Sequence, residues 1–172
     1  VLNRLGKNPD FDFMIAMGTW AGQDLANEKN QVQTMVFSSS EPVKAKIVKG
    51  PQYSGVSNLH ARTDPSRYER QIRLFHDLIG FQKLGVAYED SPDGRTYAAI
   101  DDIRKVSQER GFEVFECFTL NTTPDIMKAN ASVSKCYREL TEKVDALYIT
   151  NQIGVNEKNM PGLIEPLLAK GI

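Results

Sequence analysis

No apolar run in this chain approaches the ~20 residues that cross a bilayer, which excludes a membrane-spanning helix. Histidine is scarce. His60 and His76 are the 2 in the chain, and neither has a partner at metal-ligand or triad spacing, so both read as plain surface or linker residues. Cysteine is equally scarce: Cys117 falls in a strand pattern and Cys136 in a helix pattern, with no metal or CxxC spacing between them. Taken alone they read as buried free thiols, a disulfide being the alternative that an oxidising compartment permits. Charge of one sign is missing too. Lys and Arg number 21 against 22 Asp and Glu, spread along the chain for a net charge of −1, so there is no basic footprint for nucleic acid. Nucleotide and nucleophile signatures are lacking: no G-x-G-x-x-G, no G-x-x-x-x-G-K-[ST], no G-x-S-x-G, and no cysteine with a suggestively placed histidine. The expectation is a protein that is not an enzyme and needs no metal or cofactor.

What is present is an ordinary globular composition. With 172 residues, 41% hydrophobic and 25% charged, the chain can bury the core of one or two compact units. It opens on Val1, with no start methionine, basic n-region or apolar h-region, inside what reads as a helix tail at residues 1–6. It stops at Gly171-Ile172, where a strand is due. The expectation is an excerpt of a longer protein. Asn121-Thr122-Thr123 and Asn130-Ala131-Ser132 match the glycosylation sequon, a short pattern common by chance.

Strands and helices alternate. The patterning predicts strands over 11–17, 32–37, 55–59, 84–88, 112–118 and 146–149, and helices over 21–27, 42–48, 66–79, 94–110, 124–142 and 155–169. Such a βαβα order argues an α/β fold with mostly parallel sheets. Asp64-Pro65-Ser66 and Thr123-Pro124-Asp125 are helix starts, and Arg110-Gly111 is a glycine stop. Tyr97, Ile100, Ile103 and Val106 recur at helical spacing as a sheet-facing stripe. The rhythm breaks between Val48 and Tyr68, where the polar stretch 60–65 reads as a linker between two α/β units.

Each strand runs into small, hydroxylated or amide residues: Gly18-Thr19-Trp20, Ser38-Ser39-Ser40, Glu89-Asp90-Ser91 and Thr150-Asn151-Gln152. In an open parallel sheet that edge is where ligands sit, because helix N-termini there offer free N–H groups to an anionic group. The chain reads as built to hold a small polar molecule.

A family resemblance rests on these stretches taken in order. Asp12-Phe13-Met14-Ile15-Ala16-Met17-Gly18-Thr19-Trp20-Ala21-Gly22, then Val36-Phe37-Ser38-Ser39-Ser40-Glu41-Pro42, then Tyr53-Ser54-Gly55-Val56-Ser57-Asn58-Leu59 open it. Lys83-Leu84-Gly85-Val86-Ala87-Tyr88-Glu89, Arg110-Gly111-Phe112-Glu113-Val114 and Val144-Asp145-Ala146-Leu147-Tyr148-Ile149 complete it. The series resembles ABC-transporter substrate-binding proteins of the tryptophan-binding or aromatic amino-acid-binding type, over essentially the whole chain. The resemblance implies a type I periplasmic-binding-protein fold, two Rossmann-like α/β lobes with parallel sheets that close on a ligand in the cleft between them. Residues 1–62 would be the later part of the first lobe and 63–172 the first part of the second, each incomplete. It also implies a small-molecule ligand, an amino acid with an aromatic or branched side chain, and a membrane permease as partner. The location would be periplasmic or extracytoplasmic, with a lipid anchor. An extracytoplasmic sensing domain of a signalling protein is the alternative.

On this plan Gly18, Thr19, Ser39 and Ser40 would offer hydroxyl and N–H groups to a ligand carboxylate, and Trp20 would stack on the ligand or line the rim. Gly18-Thr19 and Ser40 serve equally well as helix caps. Glu89 or Asp90 would accept from an ammonium group or cap the following helix, while Tyr88 and Asn151 would face the cleft from strand ends. Tyr97 is assigned to the core. The chain departs from the family where members commonly carry proline after Gly-Thr, here Trp20, and Thr-Asp-Pro or Ser-Asp-Pro, here Ser40-Glu41-Pro42.

Overall fold

A computed structural model describes residues 11–172; the helix tail expected at residues 1–6 lies outside them. The chain divides into two compact units, one ending at Ser66 and the other spanning Arg67–Ile172. Both are α/β, and every strand pairing within each sheet is parallel.

The first unit holds β1 (Phe13–Met17), α1 (Thr19–Leu25), β2 (Gln33–Phe37) and β3 (Leu59–Ala61), with strand order β1-β2-β3. Register places Ala16, Val36 and Ala61 side by side, and this face packs on Leu25, Ile47 and Val48. The other face carries Ile15, Met35 and His60 in register, with Phe13, Ile15 and Met17 exposed.

Three expectations fail in this unit. The helix predicted over 42–48 is a single wound turn, closed by Ala45 N–H to Glu41 O at 2.8 Å and ended by Lys46 at φ 59°. The stop lets the consecutive residues Ile47 and Val48 both be buried in the core of this unit. The strand predicted over 55–59 is instead a turn around Gly55 at φ 80°, held by the Ser54 hydroxyl donating to Val56 O at 2.6 Å. The strand begins at Leu59, so His60 and Ala61 belong to β3 and not to a linker.

The second unit holds α2 (Arg67–Ile79), β4 (Lys83–Tyr88), α3 (Pro92–Ala98), α4 (Ile100–Arg110), β5 (Glu113–Phe118), α5 (Ile126–Thr141), β6 (Ala146–Tyr148) and α6 (Met160–Ala169). Strand order is β5-β4-β6. Leu84 to Tyr88 are all buried, as expected of a central parallel strand covered on both faces. Leu84, Val86 and Tyr88 pack with Ile72 of α2 and Ile100, Ile103 and Val106 of α4. Ala87 packs with Val133, Tyr137 and Leu140 of α5 and Leu163 and Leu167 of α6. Each such aliphatic side chain contributes about 1.5–3 kcal/mol.

The single helix expected over 94–110 is broken by Ala99, at φ 52°. Ala98, Ala99 and Ile100 are consecutive and fully buried, which one straight helix turning 100° per residue cannot achieve against one sheet. The helix expected over 155–169 starts only at Met160. The Asn156 side chain accepts from Lys158 N–H and Asn159 N–H, holding a turn in place of a helical start. His76 is also not a plain surface residue: its ring stacks on Phe112 at 5.1 Å and meets the edge of Phe81 at 5.0 Å. Cys117 and Cys136 form a disulfide joining β5 to α5, so the free-thiol reading gives way to the alternative.

Candidate functional site

At the carboxyl edge of the first sheet, Gly18 follows β1 at φ 94°, a left-handed conformation that glycine adopts without strain. Its N–H donates to Phe37 O at 2.8 Å, carrying the β1–β2 pairing one residue past the strands. Gly18 is the N-cap of α1 and supplies no side-chain cap. Thr19 does not cap the helix either. Its hydroxyl accepts from Ser40 N–H at 3.3 Å and lies 3.5 Å from the Ser39 hydroxyl, so three of the expected residues meet. Ser40 caps nothing, since no helix follows it. Ser38 turns the chain at φ 56° and sends Ser39 and Ser40 back toward Thr19. Trp20, the next residue of α1, is 68% exposed.

At the carboxyl edge of the second sheet the expected residues have unlike surroundings. Tyr88 is 2% exposed and packs in the core, its hydroxyl donating to the Glu116 carboxylate. Burial, and then that carboxylate, push its phenol well above the usual tyrosine range. Arg104 donates to both Glu116 oxygens, at 2.7 and 3.0 Å to Oε1 and at 2.9 Å to Oε2, the oxygen that also accepts from Tyr88. Glu89 turns to the next loop: one carboxylate oxygen accepts from Asn121 N–H at 2.8 Å and from the N–H and hydroxyl of Thr122, both at 3.0 Å. Asp90 accepts from Arg95 at 2.6 and 3.1 Å. Asn151 is exposed. With Tyr88, Glu89, Tyr97 and Asn121 it lines a recess of about 10 Å³, room for roughly one water molecule.

Around Asn151 lies a buried network in which Thr150 and Gln152, both in the strand-end pattern, are joined by Thr119, which that pattern did not single out. Thr119 donates to Gln152 Oε1 at 2.6 Å, Gln152 Nε2 donates to Thr150 Oγ1 at 2.9 Å and to Ala87 O at 3.0 Å, and Thr150 donates to Ala87 O at 2.6 Å. The period-2 alternation of an extended segment was the available signal, since Thr150 and Gln152 point in where Asn151 points out.

The Glu89 carboxyl titrates with a defined sign. Burial pushes it up, but the N–H groups of Asn121 and Thr122 and the hydroxyls of Thr122 and Ser91 outweigh burial and hold it below the ordinary 4.5. Its folded value is lower than its unfolded one, so its stabilisation is complete above the ordinary value and lost as pH falls through the folded one. The amide resonances of Asn121 and Thr122 are therefore expected to stay constant from neutral pH to about 5 and to shift together below it. A shift centred above pH 4.5 would contradict this carboxylate bonding.

Among the described residues no group of three or more His, Cys, Asp and Glu side chains is placed to hold a metal, and no helix is long and apolar enough to cross a membrane.

Searches against family models and against curated proteins match nothing. Solved structures do match. A conserved domain protein of Vibrio cholerae O1 biovar El Tor aligns with a TM-score of 0.61 and 20% identity over 94% of this chain and 49% of its own. An ABC domain from Streptococcus pneumonia, solved in complex with L-Trp, aligns with a TM-score of 0.65 and 20% identity over 92% of this chain and 51% of its own. A ligand-free, open substrate-binding protein with adhesive properties from Clostridium difficile aligns with a TM-score of 0.51 and 21% identity over 80% of this chain and 43% of its own. The chain spans about half the length of these structures. At such identities the likeness is one of fold, and the fold is periplasmic-binding-protein-like: α/β units with parallel sheets and flanking helices.

Proposed function

We propose that this chain is ligand-binding sequence of an extracytoplasmic solute-binding component of an ABC transporter, a binder and not an enzyme. Its ligand is a small molecule, an amino acid with an aromatic or branched side chain, passed on to a membrane permease. The observation that carries this reading is the carboxyl edge of the first sheet, where Thr19, Ser39 and Ser40 gather and exposed Trp20 follows Thr19 in α1, in a fold shared with an L-Trp complex. Hydroxyls suit a ligand carboxylate, and the indole suits an aromatic or apolar side chain. The Cys117–Cys136 disulfide supports a location outside the cytoplasm, because reducing compartments keep such pairs open.

Thermal-shift and calorimetric screening of the protein against amino acids, nucleosides and sugars tests the reading. A ligand at 100 times its Kd adds about 2.7 kcal/mol of stability; stabilisation by sugars alone would reject an amino-acid ligand. Thr19→Ala is expected to weaken amino-acid binding by roughly 1.5–3 kcal/mol, the range for a hydrogen bond to a charged group, while Thr19→Ser, which keeps the hydroxyl, restores it. Equal affinities for the wild type and the alanine variant would remove Thr19 from the site.

A further inference from the structure

We infer that Glu89 is a positioning residue, one that keys the loops following β4, β5 and β6 into a single pre-formed rim, and that its carboxylate is not the group that meets a ligand's ammonium. The second half of this inference rests on the ligand-binding reading above; the first half stands on the protein without ligand.

The Glu89 backbone is held from below. Ser91 N–H donates to Glu89 O at 2.8 Å, and Gly94, in the first turn of α3, sits so close that a Cβ there would lie 2.0 Å from the same oxygen. Its side chain then reaches from the β4 loop to the β5 loop and takes three donors on one oxygen, Asn121 N–H, Thr122 N–H and the Thr122 hydroxyl. Its other oxygen accepts from the Ser91 hydroxyl at 3.3 Å. Asn121 carries the link onward: its side-chain oxygen accepts from Ile153 N–H at 2.7 Å, in the β6 loop. Asn151, two residues before Ile153, thus sits on a loop tied at Ile153 through Asn121 to Glu89, and through Gln152 to Thr119 and Ala87. Three of its four donors fall on one oxygen, so turning that oxygen to an ammonium would release two backbone N–H groups.

The charge and the acceptor geometry of Glu89 separate experimentally. Glu89→Gln keeps an oxygen acceptor and loses the charge; Glu89→Ala loses both. In the ligand-free protein, amide hydrogen exchange at Asn121 and Thr122 is expected to accelerate roughly ten- to hundredfold in the alanine variant, the equivalent of one lost hydrogen bond to a charged group, with Ile153 following. The glutamine variant stays within about fivefold of wild type, the difference between a hydrogen bond to a charged acceptor and one to a neutral acceptor, and the core amide of Val86 serves as the reference for global unfolding. Calorimetry with L-tryptophan follows the same order, weakened by alanine and retained by glutamine. Unchanged exchange at Asn121 and Thr122 in Glu89→Ala would overturn the positioning role. Normal exchange in Glu89→Gln together with lost L-tryptophan binding would show that the charge contacts the ligand and overturn the second half. A wild-type protein that binds no amino acid overturns the ligand reading and the second half with it, while the exchange data still decide the first.

Discussion

Gly94→Ala is expected to destabilise the second unit by about 3 kcal/mol, at the upper end of what overpacking costs. The new Cβ would lie 2.0 Å from Glu89 O and 2.9 Å from Glu89 C. Both are backbone atoms of a turn already bonded through Ser91 N–H and the Ser91 hydroxyl, which accepts from Gly94 N–H at 3.0 Å, so no rotamer change relieves the overlap. Helix propensity acts the other way, favouring alanine by about 1 kcal/mol, and is outweighed. Thermal unfolding of that unit, Arg67–Ile172, followed by circular dichroism should show a Tm lower by roughly 12–15 °C. Gly162→Ala is the control, because Gly162 lies within α6 with nothing within 4 Å of its added Cβ. It should raise stability by roughly 0.5–1 kcal/mol. A Gly94→Ala protein as stable as the wild type would show that α3 does not press on the β4 turn as described.

Opening the Cys117–Cys136 disulfide has an effect of similar size. The bond closes a loop of 19 residues' separation, for which the lost entropy of the unfolded chain corresponds to about 3 kcal/mol. Dithiothreitol, or the double variant Cys117→Ser with Cys136→Ser, should lower the unfolding transition of the second unit by that amount and leave the first unit unchanged. Thiol titration of the oxidised protein in denaturant should find no free thiol, since both cysteines are in the bond. Two titratable thiols would remove both the bond and its support for a location outside the cytoplasm.

The α/β class and the parallel pairing of the strands could be read from the chain because both depend on local periodicity. Leu84 to Tyr88 is a continuous apolar run of strand length, and Ile100, Ile103 and Val106 mark a helix face; the structure buries all of them. Stretches where a local pattern competed with long-range packing read differently. Residues 42–48 carry a helix start in Glu41-Pro42 yet complete only one turn, and Ala99, a strong helix former, breaks a helix because its neighbours on both sides must be buried.

The residues at the strand ends were legible as a chemical type, since Thr19, Ser39, Ser40, Glu89 and Asn151 all follow hydrophobic strands in the sequence. Their partners were not. That the Thr19 hydroxyl meets Ser39 and Ser40, 20 and 21 residues away, follows from β1 and β2 lying side by side in register. That Glu89 binds Asn121 and Thr122, 32 and 33 residues away, follows from β4 lying beside β5. The choice between thiols and a disulfide was likewise settled by strand β5 and helix α5 bringing two Cα atoms to 5.5 Å. By itself the sequence determined periodicity, composition and the polar character of the strand ends, because these reside in neighbouring residues. Only the tertiary structure decided which polar groups are already satisfied, because a hydrogen bond between loops exists only once the sheet has set the loops side by side.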